Sequence, residues 1–145
     1  IMALAAEIRS ADKVTTKGVD SRNSSAEALD SAHVLARRFG CTVSVSGEKD
    51  LITDGDTDLV VHGGSPLMPL VTGMGCSASA VTGAYAAVCE NRLTAAAAAM
   101  AVMASAGEKA GAAAKGPGSF LPAFLDALYL LDPMDAAARV ERPDR

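Results

Sequence analysis

The 145-residue chain is half hydrophobic but only 3% aromatic, so its core must be built from Ala, Val, Leu and Met. One domain of this length buries about 70% of its extended surface, and a net charge of −4 with no run of like charges excludes the basic face of a nucleic-acid binder. Cys41, Cys76 and Cys89 form an odd set without metal-ligand spacing, as in a reduced, cytoplasmic protein, and no apolar stretch reaches the ~20 residues that span a bilayer.

Ile1-Met2-Ala3-Leu4 opens directly in apolar helical sequence with no initiator methionine before it, and reads as a chain that begins inside an element. A short helix over 1–8 is expected, then a polar loop through Asn23. Ser24-Ser25-Ala26-Glu27 has the capping-box pattern that starts a second helix. Leu29, Ala32, Ala36 and Phe39 recur on one face of it, and Gly40 supplies the stop. The alternating run 41–46 predicts a strand. Leu51-Ile52-Thr53 and Leu59-Val60-Val61-His62 flank Asp54-Gly55 and predict a hairpin, with Asp54 and Asp56 as turn residues rather than metal ligands.

Thr72-Gly73-Met74-Gly75-Cys76 precedes a helix predicted to start near Cys76, with Ala78, Val81, Tyr85 and Val88 on one face. A longer helix follows, carrying Leu93, Ala96, Met100, Met103 and Gly107 on a stripe and closing at 115–117. Ser119 then caps a last helix whose Leu121, Phe124, Leu125 and Leu128 point inward, and the charged tail from 134 frays. Helix, strand, hairpin and several helices make an α/β pattern. So few strands form a poor sheet alone, and further strands are expected upstream of Ile1.

The glycine turn carries the chemistry. Two glycines one residue apart, ahead of small helix formers, leave backbone N–H groups bare where a helix begins, and the helix dipole adds positive potential there. Gly73, Met74 and Gly75 would thus cradle an anion by their amides. The same field acidifies a thiol, and Cys76 stands beside it. The spacing alone equally fits a tight turn, and a free cysteine equally fits a small buried hydrophobe. Cys76 as the nucleophile or redox centre of another enzyme class is a further alternative.

Several motifs in order resemble the hydroxyethylthiazole kinase family. They are Lys17-Gly18-Val19-Asp20-Ser21, Val45-Ser46-Gly47-Glu48-Lys49-Asp50, Thr53-Asp54-Gly55 and His62-Gly63-Gly64-Ser65-Pro66-Leu67-Met68. Thr72-Gly73-Met74-Gly75-Cys76, Ala106-Gly107-Glu108, Gly116-Pro117-Gly118-Ser119-Phe120 and Phe124-Leu125-Asp126-Ala127-Leu128-Tyr129 continue the set. The resemblance runs from Ile1 to about Leu131.

It implies a ribokinase-like three-layer α/β/α fold, with residues 1–145 as the C-terminal part of a single kinase domain whose upstream half is not in this chain. It implies ATP- and magnesium-dependent phosphorylation of the hydroxyl of 4-methyl-5-(2-hydroxyethyl)thiazole in thiamine biosynthesis and salvage, by a homotrimer. A ribokinase-like kinase for a hydroxymethylpyrimidine or a pyridoxal-type ring, or a fragment inactive without its upstream half, is the alternative.

Carried onto this chain, the resemblance makes Cys76 the catalytic base, Ser46 a contact to ATP and Gly73 a contact to the thiazole. The magnesium-organising residues fall upstream, so no metal ligand is assigned here. Family members usually have Thr where Met74 stands, so a hydroxyl contact to phosphate is lost while the amide remains. Cys41, Cys89 and His33 read as structural, the 116–119 turn as a helix stop and cap, and His62 as a residue close to where the strands end.

Overall fold

In the computed structural model, residues 1–9 and 25–143 are described. The 17–21 motif, the polar loop and the Ser24 end of the capping box lie outside them. Helix α1 (Met2–Arg9) packs on α2 (Ser25–Phe39). Helix α2 buries Ser31, Ala32, Leu35 and Ala36, whereas Phe39, expected on that stripe, is exposed. Gly40 takes φ +60 and the Cys41 amide donates to the Ala36 carbonyl at 3.1 Å, so the helix ends in a left-handed cap. Spending the Cys41 amide in that cap shortens the strand predicted over 41–46 to β1 (Val43–Val45).

The hairpin forms as β2 (Asp50–Thr53) and β3 (Asp58–Val61), with Leu51 opposite Val60 and Ile52 opposite Leu59. The Asp54 carboxylate accepts from the amides of Asp56 and Thr57 at 3.0 and 2.7 Å, which is turn chemistry. The sheet is antiparallel in every described pair and runs β1-β2-β3-β4. Its last strand, β4 (Val140–Glu141), pairs with β3, so the tail expected to fray is docked.

Successive residues of a strand face opposite sides, and two helices exploit this. Ile52, Leu59 and Val61 pack beneath α4 (Arg92–Ala113), together with Ala96, Ala99 and Met100. Thr53 and Asp58 form a register pair on the other side, where His33 of α2 meets Asp58 at 2.7 Å. Helix, sheet and helix are therefore stacked as three layers, an α/β arrangement with a helix on each face of the sheet.

Helix α4 starts on the Asn91 side chain, which accepts from the Thr94 amide at 2.9 Å, and is buried almost all round from Ala95 to Gly107. Only alanine-rich sequence tolerates being enclosed this closely. Against it lie α3 (Met74–Val88), α5 (Pro117–Tyr129) and α6 (Pro133–Ala137). Helix α5 begins at Pro117, two residues ahead of Ser119, whose Oγ accepts from the Lys115 amide at 2.9 Å. It buries Phe120, Phe124 and Ala127, while Leu121 and Leu125, expected inward, are exposed. The stacked rings of Phe120 and Phe124, 5.9 Å apart, claim the inward face because they bury more area.

Candidate active site

From β3 the chain passes through His62, then Gly63 and Gly64 at φ +112 and +94, into a turn at Ser65. The Ser65 carbonyl accepts from the Met68 amide at 3.0 Å and its Oγ accepts from the Leu67 amide at 3.2 Å. A single 3-10 turn, Met68–Leu70, and the extended Val71 then deliver the chain to Gly73. Gly73 sits at φ +97, the left-handed region a side chain disfavours, and forms the N-cap of α3. The helix starts two residues earlier than expected, because this glycine cap and the buried Met74 side chain fix it there.

A glycine cap has no side chain to satisfy the first turn. No hydrogen bond among the described residues uses the amides of Gly73, Met74, Gly75 or Cys76. The first turn closes only at Ser77, whose amide and Oγ both donate to the Gly73 carbonyl, at 2.9 and 3.0 Å. Nothing lies within 4 Å of where a Cβ would stand on Gly73 or Gly75, so the approach to these amides is open. The Met74 amide is left bare while its side chain joins the buried cluster of Met103, Ala106, Phe120 and Phe124. Cys76, a free thiol, is exposed in the same first turn. An uncapped, accessible helix start of this kind accepts phosphate.

Ser46 is exposed just after β1. The pairing of Val45 with Leu51 and of Asp50 with Val61 puts it at the end of the sheet where β3 leaves for the cradle. No hydrogen bond joins Ser46 to the cradle among the described residues. In the loop after it, the Gly47 amide donates to Asp50 at 3.0 Å, while burial pushes the Asp50 carboxyl above its ordinary value. Cys41 and Cys89 are half-buried and free. His33 is spent on Asp58 and His62 on Glu141, at 2.7 and 2.6 Å.

An open cavity of about 560 Å³ lies elsewhere, between His62, Gly63, Glu108, Arg139 and Glu141. It contains none of residues 73–76, of which Gly73, Gly75 and Cys76 are exposed. Arg139 reaches Glu108 at 2.6 Å and holds its carboxyl below the ordinary range, and Lys109 does the same to Asp135 at 2.7 Å. Sequence reasoning missed this clamp. The sole signal for it was the charged tail, whose partners lie 31 and 26 residues away on α4.

Comparison with known proteins adds an independent finding. The model of the hydroxyethylthiazole kinase family matches residues 1–134. The chain is 54% identical over 141 residues to a hydroxyethylthiazole kinase of Brachyspira hyodysenteriae, covering 97% of this chain and 51% of that protein. It is 55% identical over 126 residues to one of Oleidesulfovibrio alaskensis, covering 87% and 47%. The solved structure of a hydroxyethylthiazole kinase protein from Pyrococcus horikoshii OT3 superposes with a TM-score of 0.76 at 36% identity, over 82% of this chain and 47% of that one. The chain thus spans about half the length of the curated relatives it matches.

Proposed function

This chain belongs to the hydroxyethylthiazole kinase family, and on that footing we propose that the whole protein transfers the γ-phosphoryl group of ATP to the hydroxyl of 4-methyl-5-(2-hydroxyethyl)thiazole, in thiamine biosynthesis and salvage. The observation that carries the reading is the run of unengaged amides from Gly73 to Cys76 with an exposed thiol beside it. Phosphoryl transfer asks a protein chiefly for position and charge. The amides of Gly73, Met74 and Gly75 hold the equatorial oxygens of the transferred group, where negative charge accumulates. Losing one such donor costs on the order of 3 kcal/mol in catalysis. The Cys76 sulfur takes the proton of the attacking alcohol as the new oxygen–phosphorus bond forms and the bond to the leaving ADP oxygen breaks. Gly73, bare of a side chain, lets the thiazole approach, and Ser46 contacts the nucleotide from the sheet end.

ATP fits the donors present, because bare amides and open space suit phosphate. Magnesium is part of the proposal, and among the described residues there is no group of three or more His, Cys, Asp or Glu able to hold it. Its ligands are assigned to the other half of the polypeptide, which also supplies most of the thiazole pocket. That half and a homotrimeric assembly complete the proposal, with the exposed Leu125, Tyr129 and Leu130 of the α5 end as apolar surface for either. A cytoplasmic location accords with three free cysteines, and no described helix is long and apolar enough to cross a membrane.

The test is a panel. The whole protein is given labelled ATP with hydroxyethylthiazole, hydroxymethylpyrimidine or pyridoxal, and label is expected on the thiazole alcohol. Label on either of the other rings, or on none, would reject the assignment.

A further inference from the structure

Three glycines outside the cradle show what holds it in place. On α4, Gly107 and Gly111 stand one turn apart on one face, under the connector 62–73. A Cβ on Gly107 would lie 2.5 Å from the Met68 sulfur, and a Cβ on Gly111 would lie 2.7 Å from the Ser65 Cβ. A third contact closes the other end, where a Cβ on Gly63 would collide with the Arg139 guanidinium clamped on Glu108. The connector therefore lies close on α4 at Gly107 and Gly111, and its Gly63 end packs on the Arg139 side chain clamped to α4.

We propose that Gly111 and Gly107 are positioning residues, seats that fix the height at which the connector presents the amides of Gly73–Cys76. The two seats differ in stiffness. Met68 meets Gly107 with the far end of a flexible side chain, which can swing aside. Ser65 meets Gly111 with its Oγ, which can rotate away, and with its Cβ at 2.7 Å, which cannot move without its backbone. From Ser65 the displacement has a path to the cradle. The Ser65–Met68, Leu67–Leu70 and Met68–Val71 hydrogen bonds, of 3.0, 3.1 and 3.2 Å, make one stiff unit ending two residues before Gly73. The catalytic consequence rests on the kinase reading; the positional one does not.

The experiment uses the whole protein with Gly111→Ala, alone and combined with Ser65→Gly or Ser65→Ala. Alanine favours helix over glycine, so α4 itself is not weakened. Gly111→Ala is expected to lower kcat about tenfold or more with KM little changed, since displacement by about 1 Å can cost two orders of magnitude. It is also expected to change the iodoacetamide reaction rate of Cys76 and the hydrogen exchange of the 74–76 amides. Ser65→Gly, which removes both colliding atoms, should restore all three; Ser65→Ala, which removes only the Oγ and keeps the Cβ, should restore them in part at most. If Gly111→Ala is poorly folded, fuller recovery of its melting temperature by Ser65→Gly than by Ser65→Ala supports the same seat. Unchanged kcat, alkylation and exchange in Gly111→Ala, or equal rescue by both serine variants, would overturn the proposal. A wild-type protein without kinase activity that still shows the alkylation and exchange pattern would sink the kinase reading and leave the seat standing.

Discussion

Glu108 illustrates how one residue ties the end of the chain to its middle. It sits on α4 and meets Arg139 at 2.6 Å, next to β4. The bond from Arg139 is the main reason its carboxyl titrates below the ordinary value of 4.5, and Asp135 is lowered by Lys109 in the same way. A carboxyl held low in the folded state stabilises that state above its ordinary pKa, and the stabilisation is lost as pH falls through the folded value. Both carboxylates are exposed, so the effect belongs to the docking of β4 and α6 rather than to global stability. Protection of the Val140 and Glu141 amides, relative to their intrinsic exchange rates at each pH, should therefore fall below about pH 4.5 before protection in α4 does. Arg139→Met should give the low protection already at pH 7. Identical pH profiles for β4 and α4 would refute this.

At the scale of elements, α4 and α5 divide the structural labour. Phe120 and Phe124 are fully buried against α4, so Phe124→Ala should cost about 3–5 kcal/mol in denaturant unfolding. Leu125, one position on and 56% exposed, should cost under about 0.5 kcal/mol when changed to Ala. Similar losses for the two would show that the wrong face has been placed inward. Leu121 and Leu125 against Phe120 and Phe124 is also where sequence reading failed, because two adjacent apolar stripes satisfy helical periodicity equally well. Only packing against α4 chooses between them. Local signals did expose helices α1 to α5, the Gly40 stop and the hairpin around Asp54-Gly55, since each depends on neighbours a few residues apart, but not α6, which lies in the tail expected to fray. The strand Val140–Glu141 has a single apolar residue and pairs with Val60 and Val61 some eighty positions earlier, so nothing local announces it. In the site, the bare amides were legible because a glycine cap determines them. The glycine seats were not, because Gly107 and Gly111 meet Met68 and Ser65 only through the fold.

For the whole molecule, the chain carries the unengaged amides of Gly73–Cys76, an exposed thiol and the sheet end bearing Ser46, and spans about half the length of the relatives it matches. The claim at the centre is that amides at the start of α3 take the phosphoryl group while the Cys76 sulfur takes the alcohol's proton. Phosphoryl transfer by the whole protein carrying Cys76→Asp or Cys76→Ala tests it most directly. A carboxylate can still accept the proton, so Cys76→Asp should keep measurable transfer to the thiazole alcohol, whereas Cys76→Ala should lose about a hundredfold or more in kcat. Full activity in Cys76→Ala, or complete loss in a folded Cys76→Asp, would contradict the account.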